Sequence, residues 1–423
     1  MENLYKIILS LFLFLSPYSI THVAAISPAV KVKAVRMVTS GEKNHFFGYY
    51  GINVWNKDKT HILSLETDFN DHLPGEGEKA TIGLVNLRTH KFSPLTQTSA
   101  WNMQQGCMMF WNPVKPNEEF YFNDVVDGKL VSVLFNIKAK SRKVLPFPVS
   151  GISHDGKYAI SLNYGRISRL RKVVSYSGTT DPNPTLAHPA DDGLFVVNLQ
   201  TNERKLIVSF AQMAEVIKKT RPDIQDKHMW NEHAEFSRGD NKILFLPRTW
   251  QADGKNLETG LFTVNVNGSD MKEILPYGSN VSHFGWRNDD EMVISYNFNG
   301  KSRSHVIVNC SGKPFIPLQG MGHDGHCSFD KTGEWVLTDG PRDMKKLQNR
   351  VQLIHVQTQQ SFLVNSFEMV DPRFLGAGSG GNTRCDLHPR ISNDNNMICV
   401  DAIDPKTSKR QIYIIDISIE KMD

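Results

Sequence analysis

Cysteine is scarce in this chain: five in 423 residues, at positions 107, 310, 327, 385 and 399. So odd and sparse a set excludes a disulfide-built scaffold. Export would permit one bond such as Cys327–Cys385, whereas Cys310 and Cys399 sit in apolar strand contexts and read as small core residues. Charge of one sign is lacking too. The 48 Lys and Arg against 44 Asp and Glu leave a formal +4, too little to argue for a nucleic-acid partner, and no long run of like charge occurs. After the first residues there is no apolar run long enough to span a membrane, so stable membrane insertion is not expected. Missing as well are a phosphate-cradling Gly motif, a nucleophile elbow and a Cys-x-x-Cys pair.

The one early apolar run, Ile7 to Leu15, follows Lys6 and precedes the small residues Val23-Ala24-Ala25. That pattern is a cleavable secretory signal over residues 1–25, too short for a spanning helix, and it implies a periplasmic or secreted protein. Residues 26–423 are then one domain, since all-β folds often exceed the usual domain size as a single unit.

What the chain has in abundance is repetition. An apolar strand, a short polar turn and a second apolar segment recur seven times, as in Ile82 to Leu87 before Pro94-Leu95, Gly193 to Leu199 before Leu206 to Val208, and Val351 to Val356 before Phe362 to Val364. Each is preceded by an aromatic or apolar start, a polar turn and a strand; the starts are Trp55, Trp111, Ile152, Phe236, Trp286, Phe329 and Ile391. Turns such as His154-Asp155-Gly156-Lys157 and Asp330-Lys331-Thr332-Gly333 have hairpin chemistry. Two hairpins per repeat make four antiparallel strands, which is a propeller blade. The expected fold is all-β, a seven-bladed β-propeller. The seventh hairpin lacks an outer partner, and Val30 to Val38 is a strand-like segment free to supply it and close the ring. Two stretches break the pattern: Phe210 to Lys219 has helical spacing, and Arg166 to Asp192 reads as a long loop over one face.

A second phrase marks blades four to seven. A histidine stands three residues before a large apolar residue at His233, His283, His326 and His388. Equivalent positions at the start of the innermost strands meet at one mouth of the central channel, and His323 can join them. Imidazoles gathered in this way either bind Mn, Zn, Ni or Fe or cap the channel by hydrogen bonds. Arg248 and Trp250 end one strand of blade four, where Arg248 either pairs with a substrate carboxylate or stacks on the tryptophan. Tyr164 and Arg166 end the matching strand of blade three, with Tyr164 a candidate proton donor. Gln105 precedes the first strand of blade two and either faces the mouth or serves a turn. His45 opens an aromatic stretch, Phe46-Phe47-Gly48-Tyr49-Tyr50, that is either a sugar-stacking surface or packing beneath the closure strand.

The succession His-x-x-Phe, His-x-x-Trp and His-x-x-apolar in consecutive blades resembles the oligogalacturonate lyases, secreted or periplasmic seven-bladed propellers. The likeness covers His233 to Val400 best. It implies a divalent metal, manganese by resemblance with zinc or another ion as alternatives, held by His283 and His326, with His323 where the family has a glutamine. It implies that His233 is the catalytic, non-ligand histidine. Two departures stand out: Ser328 occupies the place of a further histidine, and His388 that of an asparagine, as though one ligand had moved from blade six to blade seven. The implied reaction is β-elimination in a uronic-acid-containing oligo- or polysaccharide. His233 would be the base, the metal and Arg248 would neutralise the carboxylate, Tyr164 would be the acid, and Arg166, Trp250, Gln105 and His45 would bind sugar. The competing expectations are a glycoside hydrolase on the same propeller and a non-catalytic glycan-binding propeller. The oligomeric state is left open by the sequence.

Overall fold

A computed structural model describes residues 28–298, 303–312, 315–343, 345–369 and 384–421; the signal segment expected over 1–25 lies outside them. Seven antiparallel sheets follow one another along the chain; in six the main strands run in sequence order from the innermost outward, and in the seventh the first described strand is outermost. Blade one begins with Asn44–Phe46, blade four with Trp230–Phe236, blade five with His283–Trp286, blade six with Cys327–Phe329 and blade seven with Arg390–Ile391. Alternation along the strands puts Ile, Val, Leu and Phe between neighbouring blades. Trp55, Trp101, Trp230 and Trp286 are fully buried there.

The ring closes as the sequence suggests. Pro28–Met37 lies antiparallel to Arg410–Lys421, running from Pro28 opposite Lys421 to Met37 opposite Tyr413. Blade seven is thereby built from both ends of the described chain.

The polar turns after the inner strands knit blade to blade at one face. Asn117 donates to Asp58 at 3.0 Å, Lys59 pairs with Asp394, and Asn395 donates to Asp330 at 2.6 Å. Arg238 reaches the carbonyls of Trp286, Phe329 and Asp330. Asp289 accepts from the Gly239 N–H at 2.6 Å, and Asp240 from the His154 N–H at 2.8 Å. Each contributes roughly 0.5–1.5 kcal/mol, and together they fix the spacing of the inner strands whose opposite ends form the histidine mouth.

Three expectations need correction. The stretch after Asn163 is not a loop throughout: Tyr164–Leu170 is a helix, because the Asn163 side chain caps it by accepting from the Arg166 N–H. The inner strand of blade one starts at Asn44, not beside Trp55; Trp55 makes only an isolated bridge to Ile62. The five cysteines are all free, so Cys327 and Cys385 do not pair. The helix expected from Phe210 is present as Phe210–Lys218, capped by a reciprocal Ser209–Gln212 pair. Among the described residues no helix is long and apolar enough to cross a membrane.

Candidate active site

The inner strand of blade four carries a bulge. Asn231 faces Pro247 and Ala234 faces Phe245, so one extra residue is accommodated at Glu232-His233. A regular strand would send these neighbours to opposite sides; the bulge lets both line one cavity. Glu232 is buried and accepts from Arg171 at 2.6 Å, Arg248 at 2.5 Å and the Trp230 indole at 3.2 Å. These cations, Arg171 first, hold its carboxyl well below the usual range against the opposing effect of burial. An ionised carboxylate only accepts, so His233 Nε2, 3.2 Å from Glu232, carries the proton. His233 Nδ1 is then the acceptor, and the Tyr49 hydroxyl donates to it at 2.7 Å. Burial pushes the imidazole down to about 4, so His233 is neutral at pH 7.

On the other side of the cavity three imidazoles cluster. Ring centroids are 4.1 Å apart for His283 and His326, and 4.3 Å for His326 and His388. His326, His388 and the buried Asp386 each bring a ligand atom within 4.8 Å of the others. His326 Nδ1 lies 2.9 Å from Asp339, and His283 Nδ1 3.2 Å from Asp324. Carboxylates in this second position fix ring orientation and raise the basicity of the other nitrogen, as in metal centres. Asp386 is braced by Arg342 and Arg384. His388 adopts φ 43°, in the left-handed region, two residues before the inner strand Arg390–Ile391. Nitrogen donors joined by one carboxylate suit a first-row divalent ion, so the residues present fit a metal.

Tyr50 separates the two halves. Its ring lies 4.8 Å from Tyr49, 5.7 Å from His283 and 5.1 Å from His326, and its oxygen accepts from the Phe284 N–H at 3.2 Å. Both tyrosines ride on a loop that interrupts the inner edge of blade one. Gly48 makes the loop possible: its φ of +108° lies where only glycine is at ease, and a Cβ there would stand 2.3 Å from the Gly106 nitrogen.

The cavity measures about 630 Å³, within the ~300–1,000 Å³ of small-molecule sites. Its lining includes six cationic side chains, Arg171, Arg248, Lys255, Arg303, Arg342 and Arg384, against three carboxylates, Glu232, Asp324 and Asp339.

Of the residues singled out in the sequence, the structure brings His233, Arg248, Gln105, His283, His323, His326 and His388 to this cavity. His323 contacts His305 rather than the other three rings, at 5.1 Å. Gln105 leaves its amide nitrogen without a protein partner. Arg248 is largely committed, donating to Glu232 and to the Ser282 carbonyl. Four residues are placed elsewhere. Tyr164 is buried against Tyr176, with its hydroxyl on Ser150 at 3.0 Å. Arg166 is fully buried and donates to the carbonyls of Met229, Leu186 and Ala187, tying the long segment to its helix. Trp250 donates to the Leu170 carbonyl at 2.7 Å. His45 faces Glu66 at 3.2 Å and the edge of Phe92. The residues missed were Arg171, Glu232 and, as a ligand candidate, Asp386; Tyr49 and Tyr50 were marked only as part of an aromatic stretch, without individual roles. Glu232 was legible in part, as the acidic neighbour of a singled-out histidine.

Buried neutral histidines carry a prediction for stability. His305 and His233 are both pushed down to about 4 by burial, from 6.5. Between these values the unfolded chain binds more protons, so stability rises with pH across that window. Urea midpoints of the metal-free protein are expected to fall as pH drops from 6.5 toward 4, with a shallower fall in His305→Asn. A flat profile would contradict the assignment.

The fold and this mouth define a seven-bladed propeller with an imidazole–carboxylate cluster beside a carboxylate-anchored histidine. Two solved structures share the fold. An oligogalacturonate lyase in complex with manganese matches with TM-score 0.66 at 14% identity, over 93% of this chain and 96% of that one. The oligogalacturonate lyase of Vibrio parahaemolyticus matches with TM-score 0.61 at 14% identity, over 92% and 96%. At such identity the likeness is one of fold. No protein-family model and no curated protein sequence matches the chain.

Proposed function

We propose that the cavity binds a uronic-acid-containing oligo- or polysaccharide and cleaves it by β-elimination, and that the chain is exported as a single propeller domain after loss of residues 1–25. The observation carrying this reading is the pairing, in one cationic cavity, of a neutral histidine anchored on a carboxylate with an imidazole–carboxylate cluster. Elimination requires removal of the proton beside a carboxylate, and the charge that develops must be met by fixed cations. His233 begins in the neutral state a base needs, and Glu232 stabilises the imidazolium that forms. Arg171 keeps donors beyond its Glu232 contact and lines the cavity, so it is better placed than Arg248 to meet the substrate carboxylate. His283, His326, His388 and Asp386 would hold a divalent ion, manganese by analogy with the solved lyase complex. When bound, such an ion neutralises the uronate and acidifies the adjacent C–H.

A glycoside hydrolase would need a carboxyl kept protonated to act as acid. Glu232, Asp324, Asp339 and Asp386 are all held below the ordinary carboxylate range by cations and histidines that oppose their burial. Glu235, pushed up to about 7 by burial, is not among the cavity-lining residues. This supports a lyase over a hydrolase.

The test is incubation of manganese-supplemented protein with a panel of uronic-acid glycans while following the ultraviolet absorbance of the unsaturated product. We expect product from the wild type, and a rate lower by about 10²–10⁴ in His233→Ala, the usual contribution of a general base. Reducing ends released without that absorbance would make it a hydrolase; binding without cleavage would make it a glycan-binding propeller.

A further inference from the structure

The cavity holds a proton carrier that the sequence marked only as part of an aromatic stretch. Tyr49 is half-buried and lines the cavity, with its hydroxyl 2.7 Å from His233 Nδ1. As argued above, Glu232 fixes the tautomer of His233, so the phenol is the donor in that bond and Nδ1 the acceptor. The adjacent Tyr50 is the more buried of the two, and its oxygen accepts from the Phe284 N–H, whereas it is the Tyr49 hydroxyl that meets His233. Tyr164, the acid expected from sequence, is held on Ser150 and does not line the cavity.

Resting on the lyase reading, we propose that Tyr49 is the catalytic acid that protonates the departing glycosidic oxygen, working as a pair with His233. Substrate binding turns the Tyr49 hydroxyl from Nδ1 to the glycosidic oxygen at C4 of the uronide, which frees Nδ1. The C5 proton passes to Nδ1, and the C5–H electron pair becomes the C4–C5 double bond. The C4–O bond breaks with its electrons on oxygen, and that oxygen takes the Tyr49 proton. Imidazolium and phenolate are then neighbours, and the proton returns from Nδ1 to the Tyr49 oxygen along the 2.7 Å contact. Both groups are restored with no net charge, no redox partner and no exchange with solvent. Burial raises the Tyr49 phenol well above its ordinary value, so it rests protonated, as an acid must.

Two substrates separate this role from a merely positional one: a uronide glycan, and a uronide bearing a nitrophenyl group on O4, whose departure needs no proton. Tyr49→Phe is expected to lose about 10²–10⁴ in rate on the glycan and less than about tenfold on the aryl uronide, whereas His233→Ala loses on both. Equal losses of Tyr49→Phe on the two substrates, or full activity on the glycan, would overturn the acid role and leave the lyase reading intact. A wild type that eliminates from neither substrate would overturn both. Should Tyr49→Phe fail to fold, the wild type decides across a series of O4-aryl uronides. A rate nearly independent of phenol acidity is expected with an acid in place, and a steep dependence would overturn it.

Discussion

On the proposed function, replacing His326 with alanine is expected to leave the purified protein without a bound divalent ion and without lyase activity. His326 is the middle ring of the cluster, 4.1 Å from His283 and 4.3 Å from His388 by ring centroid, and it shares the donor group with Asp386. Its loss divides the remaining donors. It also leaves Asp339 buried without the imidazole that now accompanies it. Elemental analysis after dialysis should show wild-type protein near one ion per chain and His326→Ala near none. Asp339→Asn should keep the ligands but weaken the ion by about 10–100-fold, the usual effect of removing an orienting carboxylate. Manganese should restore activity to chelator-treated wild type and not to His326→Ala. Equal metal content in wild type and His326→Ala would show that the cluster is not the binding site.

Arg390→Ala is expected to produce the largest loss of stability, roughly 3–5 kcal/mol, as for other broken buried ion pairs. Arg390 and Asp401 are almost wholly buried and lie 3.1 Å apart. Asp401 also accepts from the N–H groups of Phe47 at 3.1 Å and Gly48 at 2.9 Å. Arg390 donates to the Tyr49 carbonyl at 2.6 Å and lies over the Phe47 ring. Without the arginine, an ionised Asp401 remains in the interior with only backbone donors, and the tyrosine loop loses its second tether. The urea midpoint should therefore fall steeply. Activity measured below the transition should fall as well, because Tyr49 is no longer held to His233. An unchanged midpoint would mean that the pair does not secure the loop.

The fold was readable because propeller blades repeat two signals, apolar alternation and hairpin turns, that need no long-range information. The mouth was readable in blades four to seven because repetition carries phase: His233, His283, His326 and His388 occupy one step of the repeat, and equal steps converge. Tyr49 and Tyr50 were invisible to that logic. They sit in a loop that interrupts the inner edge of blade one, where no strand phase applies, and are placed by Gly48 and by a blade-seven ion pair more than 340 positions away. Tyr164 and Arg166 were misplaced because a strand end was assumed to run into a loop. Asn163, a good helix cap, was the signal to the contrary. Arg171 had no marker at all: its position follows from how the segment after that helix folds back on Glu232.

The strand that closes the ring has a consequence for when the protein becomes competent. Blade seven supplies His388 and Asp386 to the cluster, and Arg390 and Asp401 to the loop bearing both tyrosines. The mouth thus straddles the seam where the two ends of the ring meet. A chain still emerging from synthesis can already contain His233, His283 and His326, yet it lacks the parts that hold Tyr49 in place and finish the cluster. On the proposed function, catalytic ability arrives with the last blade, so completion of the ring and assembly of the site are one event.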